Sequence, residues 1–276
     1  MDASTVWTIL WKELRDAWRH RWFVLFTLVF AGLALTLSLL GRSGLGNFGI
    51  VGFGRTAASL INLVLLIVPL LGLLMGAVSI AAEREHGTLL TLMAQPVTQQ
   101  EILCGKFLGA SAALGIVVSL GFGASGLVIA RASGWAHGIA YLGVAALTLL
   151  LGVVHVGLGV CLSVLTRRTN TAIGLALVAW LAVSLFSDLG VMGSAVILRL
   201  TPAQLLWLSF VNPVQVFKVA ALQLLHGNLE LLGPAGFYAS SVLGEWLLPL
   251  LVGLLLGWIA LTAWLSWWGF QRRGVL

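Results

Sequence analysis

Six stretches of the chain run for about twenty residues or more without Asp, Glu, Lys or Arg, and polar segments of varied length separate them. They are 22–41, 56–82, 107–130, 138–165, 169–187 and 246–268. A hydrocarbon core about 30 Å thick is crossed by about 20 apolar residues in a helix. The pattern therefore predicts an all-α membrane protein with six transmembrane helices, built as a single transmembrane domain over residues 1–276. A seventh uncharged run, 200–217, is interrupted by Pro202, Asn212 and Pro213 and is not counted as a span.

The segments between the spans carry their own signals. Residues 6–21, "VWTILWKELRDAWRHR", place Trp7, Leu10, Trp11, Leu14 and Trp18 at helical spacing, with most of the charge on the other side. An amphipathic stripe with three tryptophans predicts an interfacial helix lying along the bilayer. The loop 83–106 opens "EREHGTLLTLMAQPVTQQE". Gly87 suits a helix C-terminus, Pro96 breaks the segment, and Thr98 with Glu101 forms a capping box that starts the third long helix. One short helix fits between Thr88 and Gln95. In the long loop 188–243, "TPAQ" at 201–204 and "NPVQ" at 212–215 each put a capping residue before a proline, with Gln at the third helical position. This predicts two short outer helices, about 202–211 and 213–226, the second closed by Gly227.

Composition sharpens the picture. The chain is 60% hydrophobic and 9% charged, against roughly a quarter charged in soluble domains. With six spans both termini share a side with the second and fourth loops. That side holds Lys12, Arg15, Arg19, Arg21, Arg84, Lys106, Arg167, Arg168, Arg272 and Arg273, ten of the fifteen basic residues. The positive-inside rule then predicts cytoplasmic termini for a multi-pass membrane protein. The first apolar run has spanning length and is not followed by a small-residue cleavage site, so the N-terminus is expected to be retained. The net charge of +6 reads as a topology signal, and no nucleic-acid partner is expected. The spacing GxxxG occurs at 72–76, 105–109 and 253–257. It predicts close helix packing without identifying an oligomer face.

Motifs for chemistry are missing from the sequence. There is no GxxxxGK[ST] phosphate loop and no HExxH, and the five histidines and two cysteines are scattered. No ATP, Mg, other cofactor or metal is expected in this chain, and it is not expected to be an enzyme. The middle of each span lacks titratable carboxylates or amines, which argues against an ion-coupled carrier. His155, inside the fourth span, either takes part in a substrate path or hydrogen-bonds a neighbouring helix. Energy must then come from another protein, and the charge burst at Glu83, Arg84 and Glu85 marks where it would be delivered. The two carboxylates could meet basic residues of a partner, cap the short helix, or merely end the second span at the water boundary.

"WKELRDAWRHRW" before the first span, "EREHGTLLTLMAQPVTQQEILCGKFLG" after the second, and the six-span layout resemble the permeases of ABC-2 type transporters. The resemblance covers nearly the whole chain. It implies a homodimer served by two copies of a separate ABC ATPase that binds ATP and Mg. It also implies a cytoplasmic coupling helix that docks on the ATPase, with Glu83, Arg84, Glu85, Gly87 and Thr88 as coupling residues, and an elbow helix at 6–21. Within the family, the "RDAWRHRW" stretch and "NPVQVFKVAALQ" resemble the permease subunits that serve copper-site assembly in nitrous-oxide reductase. A periplasmic accessory protein would then meet the outer helices near Asn212, Pro213, Phe217 and Lys218. Exporters of a drug, lipid or glycan, and a membrane anchor transmitting force without moving a solute, are the competing functions.

Overall fold

The computed structural model describes residues 2–43, 50–133, 135–187, 193, 200–225 and 234–273. It is all helical, with no strand among the described residues. The elements are α1 (Ala3–Arg19), α2 (Arg21–Ser43), α3 (Ile50–Glu85), α4 (Thr88–Met93), α5 (Gln99–Ser133), α6 (Trp135–Leu165) and α7 (Thr169–Leu185). They continue with α8 (Pro202–Val211), α9 (Pro213–Leu224), α10 (Pro234–Leu243), a single 3₁₀ turn at Gly244–Trp246, and α11 (Leu247–Arg273).

Among the described residues, five helices are long and apolar enough to cross a membrane: α2, α3, α5, α6 and α11. The predicted span 169–187 is an apolar α-helix over Thr169–Leu185, α7, 17 residues and about 25 Å long at 1.5 Å per residue, shorter than the other five. At its far end Asn212 Nδ2 donates to Val183 O at 2.9 Å and the Gln215 amide donates to Ser187 O. The pair α8 and α9, bent by 112° at Asn212, can be counted as one broken span, giving up to six. Pro213, at the first position of α9, makes this break: it cannot continue α8 by donating a hydrogen bond, and the cap at Asn212, which accepts from Val214 N at 2.9 Å, starts a new direction. Thr201 and Gln204 form the predicted reciprocal capping box. Two outer helices were expected, and α10, packed against α8, is a third. Closure of α9 at Gly227, and the parts 188–192, 194–199 and 226–233 of the outer loop, lie outside the described residues.

The centre of the bundle is the seam between α3 and α6. Val68 and Ile80 of α3 share one apolar core with Leu151, Val154, Val156 and Val160 of α6, while Leu73 and Ala77 of α3 pack with Ala172 and Ala176 of α7, all fully buried. Backbones approach closely there because a Cβ on Gly76 would lie 2.2 Å from Val156 O. Pro69 interrupts the hydrogen-bond ladder of α3, and Trp180 of α7 donates its indole N–H to the neighbouring Leu66 O at 3.2 Å. The three GxxxG pairs have different uses. Gly72 and Gly76 face α6, Gly105 and Gly109 face Ile9 and Glu13 of α1, and Gly253 and Gly257 have nothing within 4 Å. Large apolar side chains such as Leu28, Leu127, Leu142 and Val178 point outward, as a lipid-facing surface does.

This sorting gives a stability test. Gly76→Ala is expected to cost about 1–3 kcal/mol by overpacking the seam, whereas Gly257→Ala should stay within about 1 kcal/mol of the parent because its Cβ meets open space. Thermal melting of both variants in detergent checks the contrast.

Candidate functional site

The ends of α3, α5, α6 and α7 meet at one end of the bundle, where α1 packs against α5. Lys106 sits in the second turn of α5 and is 1% exposed. An ammonium carries three donor hydrogens, and a buried one left unmatched is heavily penalised. Lys106 Nζ lies 2.7 Å from Glu13 Oε1 of α1, 2.9 Å from Glu83 Oε1 of α3 and 2.9 Å from Ser79 O. Lys12 of α1 reaches the same Glu83 oxygen at 2.7 Å. The four charges of Lys12, Glu13, Glu83 and Lys106 sum to zero and join three helices. Glu83 Oε2 is buried without a hydrogen bond.

Lys12 is half-exposed. Burial draws its ammonium down, but the hydrogen bond to Glu83 and the charges of Glu13, Glu83 and Asp16 outweigh this and hold it above its ordinary value of 10.5. A folded value above the unfolded one stabilises fully below pH 10.5, and that contribution fades as pH rises through the folded value.

The predicted site residues fall at the junction of α3 and α4, and their side chains turn inward. Arg84 donates to Val164 O at 3.1 Å and Thr166 O at 2.6 Å, satisfying carbonyls at the end of α6. Glu85 accepts from Thr169 N at 2.8 Å and so caps α7. Neither glutamate caps α4, because Glu83 is held by lysines and Glu85 by α7. Gly87 has φ +73°, the left-handed conformation that ends α3 and starts the turn into α4. Thr88 Oγ1 donates to Glu83 O at 3.2 Å. Leu89 is 1% exposed and anchors α4, while Leu90 stands 62% exposed. Beyond α4, the Thr98–Glu101 capping box forms as expected, and Glu101 also accepts from Asp2 N at the start of α1.

Glu13 and Lys106 are absent from the sequence-derived site. Starting the third span at 107 placed Lys106 outside it, whereas α5 is helical from Gln99 and Lys106 lies inside an apolar run. A lysine followed by "FLGASAALG" was the available signal, since a charge within an apolar helix needs a named partner. His155 is fully buried, and its Nδ1 bonds Leu151 O of its own helix at 2.8 Å instead of a neighbouring helix. At the far end, Pro213 and Phe217 are buried, with Phe217 at 0% exposure, so of the four predicted outer-contact residues only Asn212 and Lys218 reach the surface of the single chain.

Residues 7–275 match the ABC-2 family transporter protein family. The chain belongs to the ABC-2 family of transporters. A probable ABC transporter permease protein NosY from Stutzerimonas stutzeri is 32% identical over 280 residues, covering 98% of this chain and 99% of that protein. A probable ABC transporter permease protein NosY from Pseudomonas aeruginosa is 32% identical over 269 residues, covering 94% and 93%. The chain is thus an ABC-2 permease subunit, a multi-pass membrane protein whose relatives are permeases. In this permease the polar end of the bundle is the part richest in charge.

Removing one partner of the buried cluster should be far more costly than removing the exposed one. Lys106→Met leaves Glu13 and Glu83 with only the half-exposed Lys12 between them and is expected to lower stability by about 3 kcal/mol. Lys12→Ala, at a half-exposed position, should cost at most about 1 kcal/mol. Denaturant titration of the detergent-solubilised permease compares the two.

Proposed function

We propose that α4 is the coupling helix through which a separate ABC ATPase, present in two copies with ATP and Mg, drives a homodimer of this permease. The carrying observation is how α4 is mounted. It follows α3 after a single left-handed glycine, Leu89 fixes it to the bundle, and the last three residues of α3 are bonded to α1, α5, α6 and α7. A push on α4 therefore meets a stiff base instead of a loose loop. Its outward Leu90 offers the apolar knob that a groove on a partner takes up.

On this reading the α1 end is cytoplasmic, α1 is the interfacial elbow helix, and its exposed Trp7, Trp11 and Trp18 lie in the headgroup region. The far end, with α8 to α10, faces the periplasm and is where an accessory protein would meet the permease, by way of the exposed Trp207 and Val211 next to Asn212. Similarity to proteins named NosY over nearly the full chain supports a role in copper-site assembly of nitrous-oxide reductase in preference to export of a drug, lipid or glycan.

Two variants separate gripping from transmission. Leu90→Asp is expected to weaken association with the ATPase about tenfold or more. Glu83→Ala combined with Glu85→Ala should leave association largely intact but cut the permease-dependent stimulation of ATPase activity several-fold. Pull-down and ATPase assays on the reconstituted complex read the two effects. Parental behaviour of both variants would show the lever assignment to be wrong.

A further inference from the structure

Charge on α1 is sorted by face. Ile9, Glu13 and Ala17, at steps of four, turn toward the bundle: Ile9 is buried, Glu13 holds Lys106, and Ala17 packs on the apolar core. Trp11, Arg15 and Trp18, at steps of four and three, share the opposite face, with Arg19 one turn beyond Arg15, and all four are exposed. The carboxylates of this stretch are already engaged. Glu13 is bonded inward and Asp16 lies 3.8 Å from Lys12, and among the described residues neither Arg15 nor Arg19 has a hydrogen bond or ion pair. We propose that these two arginines, about 6 Å apart along the helix at 1.5 Å per residue, bind the phosphate of an anionic phospholipid, with Trp11 and Trp18 bracketing Arg15.

The surroundings select a lipid over an anion drawn from water. His20 is extended, and the membrane-crossing helix α2 begins at the next residue. Trp18 in the last turn of α1 is 54% exposed and Trp22 in the first turn of α2 is 72% exposed, and tryptophans beside the entry of a crossing helix sit at headgroup level. Arg15 is one turn before Trp18 and Arg19 directly follows it, so both belong to that level. Further along α2 the exposed Leu25, Leu28 and Val29 mark the start of the hydrocarbon. Guanidinium forks match the oxygens of a phosphate. The pair is also held in place from behind: Glu13 on the bundle face is fixed to Lys106, and Gly105 and Gly109 of α5 seat Ile9 and Glu13. The site presupposes the interfacial α1 of the proposed function and adds to it a lipid class.

Native mass spectrometry of the full chain in mild detergent, incubated with phosphatidylglycerol or phosphatidylcholine, reads the site. Phosphatidylglycerol should be retained about 10-fold more than phosphatidylcholine, and Arg15→Gln combined with Arg19→Gln should remove most of that preference. Arg167→Gln combined with Arg168→Gln, an exposed pair between α6 and α7 at the same end, should leave it in place. Equal loss from both pairs would reduce the preference to bulk charge and overturn the proposal. So would displacement of the lipid by excess inorganic phosphate, or an Arg15 and Arg19 double variant that keeps the preference and instead loses association with the ATPase. Depth separates this site from the placement it presupposes. In a Cys104→Ser, Cys161→Ser background, a fluorophore attached at Trp18→Cys in liposomes should be quenched by phospholipids brominated on their acyl chains. Absence of quenching overturns the interfacial placement and the site with it, whereas quenching together with equal retention of the two lipids overturns the site alone.

Discussion

The structure depends on a lysine ammonium that water cannot reach. Lys106 is sealed inside the α1 end of the bundle, and transferring a lone charge to such a place costs more than a helix contact returns. The cost is offset only if Glu13, Glu83 and the Ser79 carbonyl all arrive together. That requirement fixes α1 against α5 and the end of α3 against both. Packing agrees with the charges: Gly105 and Gly109, one residue before and three after Lys106, leave room for the backbone and side chains of α1 at Ile9 and Glu13. A helix that hydropathy alone would leave free to float on the bilayer surface is thereby made part of the bundle.

The same constraint explains why charge is concentrated at residues 83–85. Each of the three side chains serves a different neighbour. Glu83 neutralises the lysines of α1 and α5, Arg84 covers carbonyls at the end of α6, and Glu85 caps α7. Helix ends expose unsatisfied carbonyls and amides, and where several ends converge near a membrane surface, one charged segment can satisfy them at once. The outward-facing part of this region is α4, which carries no charge of its own.

Much of this was legible in the sequence. The apolar runs located five long helices, and the proline and capping signals located α8, α9, the Gly87 turn and the start of α5, because those features depend on neighbours within a few residues. The far end of α7 was less legible, since counting uncharged residues cannot reveal that the Ser187 carbonyl accepts from the Gln215 amide. Lys106 and Glu13 were missed for a related reason. They are 93 residues apart, and only the close approach of α1 to two glycines of α5 brings them together. The direction of Glu83 and Glu85 was likewise a tertiary matter: a carboxylate at a helix end reads the same whether it faces a partner or its own bundle.

The two ends of the bundle are tied by different physics, and this bears on how force would travel under the proposed lever role. At the α1 end the ties are ionic and centred on α3. At the far end they are neutral hydrogen bonds from the bent pair α8 and α9 to α7, such as Asn212 to Val183 O. Between the ends, α3 is 36 residues long, about 54 Å, and is clasped by α6 along backbones too close to admit a methyl group. Densely packed interiors shift as units because they have little room to deform. A displacement of α4 would thus move α3 and α6 together, and the α7 connection through Trp180 and Leu66 O would carry part of that tilt to the outer helices. Pro69, three residues beyond that carbonyl, is where the ladder of α3 is already interrupted, so bending there breaks the fewest additional hydrogen bonds.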